Sequence, residues 1–187
     1  MYLLPLALLF VLLALAVRHD LRARRIPNAI VFPGTLLALA LHALLPAGAG
    51  LFGTPMGSVG MLSALGGLAL GLAILLPMYV LGLMGAGDVK LLAMVGAFVG
   101  AGDIVTVAIA TLLAGGVLAL AVAAWQRSLG RLLNNTYQTM LHAGLTGLAD
   151  GIAVPAAASG RLPYAVAIAT GTVICILWLQ LVGELPL

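Results

Sequence analysis

Charge is what this sequence most conspicuously lacks. Only 7% of its 187 residues are Asp, Glu, Lys or Arg. A soluble domain carries about 25%, so this chain cannot cover a globular surface in water. Cysteine is almost absent as well. The single thiol, Cys175, lies within an apolar run and excludes both a disulfide framework and a cysteine zinc cluster. It reads as a small core or lipid-facing residue. Of the three histidines, His19 and His42 have no metal-ligand spacing and His142 stands alone, so no metal site is expected. Aromatic residues make up 5% and do not alternate as the strands of a membrane barrel require.

What is present is hydrophobic: 64% of the chain, in uncharged runs that approach or exceed the ~20 residues of a bilayer-crossing helix. The class is therefore an all-α, multi-pass membrane protein. The formal net charge of +3 does not point to nucleic acid. Arg18, Arg22, Arg24, Arg25, Lys90, Arg127, Arg131 and Arg161 all flank apolar runs, which is the signature of membrane topology.

The apolar pattern places six transmembrane helices. They cover Tyr2–Val17, Ala29–Leu45, Ser58–Leu83, Val89–Gly100, Ile104–Trp125 and Pro163–Val182. No basic residue precedes the first, whereas four arginines follow it, so it reads as an uncleaved helix and not a signal peptide. Pro33 is tolerable near the start of the second. The third contains Gly67-x-x-x-Gly71, either a close-packing pair or a coincidence in a glycine-rich chain. With both termini outside, every Lys and Arg falls on the inner side, in loops 18–28, 84–90 and 127–162, as the positive-inside rule requires. The expectation is one transmembrane domain over residues 1–187.

This topology puts two acids at one depth. Asp20 follows the first helix and Asp88 the third, both at the inner end, while Asp103 and Glu184 lie outside and Asp150 sits in the long inner loop. A carboxylate near hydrocarbon is costly and normally has a partner. If Asp20 and Asp88 converge, repulsion and low dielectric leave one proton shared between them. That pair is the equipment of an aspartic protease: the ionised member takes a proton from attacking water and the protonated member polarises the peptide carbonyl. Gly85 and Gly87 would allow a sharp turn and a close backbone approach to an extended peptide. The bland readings remain open here. Asp88 fits an N-cap, Asp20 fits a counter-charge to Arg18 and Arg24, and Lys90 is either a snorkelling cation or a charge that tunes Asp88.

The segment GAGDVKLLA (85–93) resembles the Gly-x-Gly-Asp-x-Lys signature of the type IV prepilin peptidase family. DLRARRIPN (20–28) resembles that family's first-aspartate segment, and RLPYAVAIATG (161–171) looks like the segment that opens its last helix. The resemblance implies the Gly-x-Gly-Asp peptidase fold, with Asp20 and Asp88 catalytic and Gly85, Gly87 and Lys90 supporting or tuning the second. It also offers Arg25, Pro27, Asn28, Pro163 and Tyr164 as substrate-binding candidates. The implied substrate is a membrane-inserted prepilin or pseudopilin, cut after its basic leader at the cytoplasmic face of a prokaryotic inner membrane. No cofactor is implied, and self-association is left open. Bifunctional members carry a large cytosolic insertion, often with paired cysteines; here only residues 18–28 separate the first two helices. Peptidase without methyltransferase activity is therefore expected, as in the short tight-adherence (Flp-type) enzymes. The competing reading is a small transporter or proton relay built on the same carboxylates. It is disfavoured because helices three, five and six contain no acid within their spans.

Overall fold

The computed structural model describes residues 3–53, 55–125 and 163–182. Loop 127–162 and both chain termini lie outside the described residues. Among the described residues six helices follow in chain order: α1 (Leu3–Ala23), α2 (Asn28–Leu44), α3 (Met61–Val80), α4 (Ala86–Val99), α5 (Ile104–Trp125) and α6 (Tyr164–Val182). Among the described residues there is no strand, only an isolated bridge between Ala47 and Ser58.

The architecture is a ring of five helices around a sixth. In the order α1, α2, α3, α5, α6, each helix touches its two neighbours, α6 closes back onto α1, and all five touch α4. The sequence of α4 explains its central place. From Val89 to Val99 every residue except Lys90 is buried, and a helix that is apolar all round needs protein on every side.

Six helices were expected, but they are not equivalent. Only α1, α3, α5 and α6 are long and apolar enough to cross a membrane unaided, and α2 is a shorter apolar helix. At 14 residues, α4 spans roughly 21 Å, well short of a hydrocarbon core of about 30 Å.

Glycine sets how tightly α4 is held. A Cβ on Gly67 would collide with the Gly96 carbonyl, and one on Gly96 would collide with the Gly67 carbonyl. One turn further along, a Cβ on Gly71 would stand 2.7 Å from the Leu92 carbonyl oxygen. The Gly67-x-x-x-Gly71 pair is thus the contact surface of α3 on α4, not a coincidence of composition.

At the end of α4 away from Asp88, buried His42 ties three segments together. Its Nε2–H donates to the Phe98 carbonyl (3.2 Å), and its Nδ1 adjoins Ser58 Oγ (3.3 Å). The Ser58 hydroxyl in turn donates to the His42 carbonyl at 2.8 Å. This is a satisfied structural histidine, as its isolation in the sequence suggested.

Helix three is shorter than expected at both ends, Met61–Val80 in place of Ser58–Leu83, and the other ends shift by a residue or so, but two differences bear on the site. Helix one does not stop at Val17; it continues to Ala23, so Asp20 is helical and the connection to α2 shrinks to Arg24–Pro27. Arginine is a good helix former, and Arg22 in the last turn complements the helix dipole. The exit is abrupt: Arg24 takes a left-handed φ of 50°, with its amide donating to the Asp20 carbonyl at 2.8 Å. Helix four begins at Ala86, not Val89, so Asp88 lies in its first turn, where the exposed amides favour an acid. Between α3 and α4 the chain reverses at Gly82 (φ 72°), with Leu83 N–H donating to the Met78 carbonyl at 2.9 Å. That is a glycine-dependent helix stop.

Candidate active site

Asp20 sits near the C-terminal end of α1 and is 7% exposed. Its Oδ2 accepts a hydrogen bond from the Ala165 amide at 3.2 Å. Ala165 belongs to the first turn of α6, where backbone N–H groups have no partner within the helix and carry partial positive charge. Pro163 stands just before that turn, and its carbonyl accepts from Val166 N–H at 3.1 Å. The last helix therefore opens onto the first aspartate. This partner was not foreseen from the sequence, although a proline at the mouth of a helix is a recognisable start signal.

Asp88 is half-buried. Its Oδ2 accepts the Gly85 amide at 3.3 Å, and its own amide donates to the Gly85 carbonyl at 3.1 Å. The capping role is thus real, but it does not exhaust the residue. Burial, reinforced by the negative charge of Asp20 and only partly offset by the Gly85 amide, pushes the Asp88 carboxyl up to about 6. The Asp20 charge can act in this way only because the bundle brings the end of α1 to the start of α4. Two acids far apart in sequence thus come within electrostatic reach of each other.

Tyr164, the first residue of α6, completes the surroundings. It is half-buried and stands within electrostatic reach of Asp88. Its ring lies against Gly115 of α5: a Cβ there would be 2.7 Å from Cε2 and 2.9 Å from the phenolic oxygen. Nothing in the sequence pattern paired Gly115 with Tyr164, because that contact exists only once α5 and α6 pack.

The other candidates divide by role. Gly85 has an ordinary extended backbone (φ −78°), so its conformation does not demand glycine, and the expected sharp turn falls at Gly82 instead. Gly87 is needed for a close approach, but to this chain: a Cβ there would stand 3.0 Å from the Cβ of Ile26. Ile26, buried in the connection between α1 and α2, is a further residue that motif reading passed over. The Lys90 ammonium is directed to α2 and not to Asp88. Its Nζ donates to Asn28 Oδ1 at 3.2 Å and lies 5.6 Å from the centre of the Phe32 ring, and the influences on Asp88 are burial, Asp20 and Gly85. Asn28 is engaged by that contact, Pro27 occupies the residue before α2 with an extended backbone, and Arg25 is exposed.

Chemically, the cluster can hold a proton on one carboxyl beside a second carboxyl that receives one, with helix amides and a phenol close by. Among the described residues no three His, Cys, Asp or Glu side chains gather as a metal site would need. Residues 7–120 match the type IV leader peptidase family, a stretch that includes both aspartates and ends within α5. No curated protein and no solved structure matches the chain.

Proposed function

Because the chain belongs to the type IV leader peptidase family, we propose that it is a membrane aspartic endopeptidase that removes the basic leader of a prepilin or pseudopilin. One observation carries this reading: the bundle brings Asp20 of α1 within electrostatic reach of Asp88 of α4, where burial first and the Asp20 charge second push the Asp88 carboxyl up to about 6. Water bound between them attacks the scissile carbonyl carbon. Its proton passes to the ionised carboxylate while the protonated carboxyl donates to the carbonyl oxygen. Collapse of the tetrahedral intermediate breaks the C–N bond: the proton taken from water goes to the leaving amine, and the hydroxyl formed from the carbonyl oxygen returns its proton to the carboxylate that supplied it. The two titrate as a coupled pair in which Asp88 is pushed up to about 6, so the shared proton belongs to the pair and not to one member.

The membrane arrangement belongs to the same proposal. The helices traverse a prokaryotic inner membrane with the arginine-rich connection at residues 18–28 facing the cytoplasm. The leader stays in the cytosol, and the apolar part of the substrate remains in the bilayer. The short connection leaves no room for a methyl-donor domain between α1 and α2, which supports peptidase activity alone. Co-expression with candidate pilin precursors tests the reading through the size shift of leader removal. Precursors that keep their full length beside the inserted protein would overturn it.

The pH dependence follows from the sign of the shift. A carboxyl raised in the folded state is protonated below about 6 and ionised above it. Losing that proton removes the acid, so kcat/KM should fall by about tenfold per pH unit above this point. Folding stability has the same sense: the contribution of the raised carboxyl is complete below its unfolded value and is lost as pH rises through about 6. Cleavage rates in detergent across the range check this, and a rate that keeps climbing past neutrality contradicts it.

A further inference from the structure

We propose that Lys90 is a positioning residue, a strut that fastens the Ile26–Pro27–Asn28 corner to the first turn of α4 and so fixes how Asp20 and Asp88 face each other. This rests on the peptidase reading and assigns the lysine of the signature a role that is mechanical, not electrostatic.

The connection from α1 to α2 is only Arg24–Pro27, between a helix that carries Asp20 and one that starts at Asn28. Any swing of this corner moves the end of α1. Two contacts stop it. Ile26 packs onto Gly87, the residue before Asp88, so closely that a Cβ there would stand 3.0 Å from the Ile26 Cβ and push the corner back. Lys90, on the same helix turn, reaches the other side of the corner, where Asn28 Oδ1 accepts from Nζ at 3.2 Å and the face of Phe32 receives the charge at 5.6 Å. One contact is apolar and one polar, and they flank Asp88 in sequence. Together they couple the start of α4 to the end of α1 through four residues of chain. Charge tuning would instead set the lysine beside the carboxylate, and its ammonium is spent on Asn28 and Phe32.

The test is a double-mutant cycle. Lys90→Gln and Asn28→Ala should each lower kcat by about tenfold, and the double variant should also lose about tenfold, not a hundredfold. Asn28→Asp, which keeps an acceptor oxygen, should recover most of the loss seen with Ala. The pH at which activity declines should stay in place in Lys90→Gln. A tuning lysine predicts the opposite, since removing a nearby positive charge moves that limb upward. Additive losses, or a displaced limb, would overturn the strut. The same cycle read in thermal unfolding needs no substrate: the two substitutions should lower the unfolding temperature non-additively. If the wild type leaves all precursors intact, the peptidase reading fails while the unfolding cycle still decides the strut.

Discussion

Asp20→Asn and Asp88→Asn should each lower kcat for leader removal by about 10³-fold or more, with the protein still inserted and folded. The amide keeps the shape of each side chain and its capacity to accept the Ala165 or Gly85 amide, so the packing described for both residues survives. What is lost is the proton traffic. An amide at either position can neither take a proton from water nor hand one to the substrate. Because the two act as a unit, the double variant should be little worse than either single one. Asp103→Asn is the control. Asp103 lies in the turn between α4 and α5, at the far end of α4 from Asp88, and its replacement should leave cleavage close to that of the wild type. Substantial turnover by either dyad variant, in a purified preparation, would contradict the mechanism.

The second large effect concerns folding. Gly96→Val should cost several kcal/mol, on the order of the heavier overpacking penalties or above, and should remove the protein from the membrane fraction. A side chain at this position meets the backbone carbonyl of Gly67, and backbone cannot rotate aside as a flexible side chain would. The helices α3 and α4 would have to separate, taking the first turn of α4 and Asp88 with them. Leu72→Val, on the lipid side of α3, changes a comparably apolar group and should be tolerated. Detergent-extracted yield and unfolding temperature of the two variants give the comparison. Normal folding of Gly96→Val would show that the close contact is not required.

Much of the fold was legible in the sequence because bilayer physics writes it in coarse letters. Long uncharged runs gave six helices, and α5 begins and ends where its hydropathy said it would. Less visible was the difference between lipid-facing and protein-facing helices. Both are apolar, so α4 resembled a short span when it is the core of the ring. The boundary at Val17 failed for a related reason: charge was taken as a helix stop, but arginines with long stems continue α1 past Asp20.

The site was legible in part. Asp20 and Asp88 stood out as acids at matched depth, which is a property of sequence plus topology. The amide of Ala165, the seat of Tyr164 on Gly115 and the packing of Ile26 on Gly87 depend on which helices become neighbours. No periodicity encodes that. Lys90 shows the limit most clearly, because its nearness in sequence to Asp88 suggested a partner that its side chain does not choose.

The sheathing of α4 also decides what evolution can vary. A helix bathed in lipid asks only that its side chains be greasy, and drift among leucine, valine and isoleucine passes unpunished there. On α4 each of those exchanges alters a volume enclosed by five neighbours. This one segment therefore lives under the rules of a soluble enzyme's interior while its surroundings live under those of a solvent, and the slowest-changing stretch of the chain should be the one that never meets the membrane.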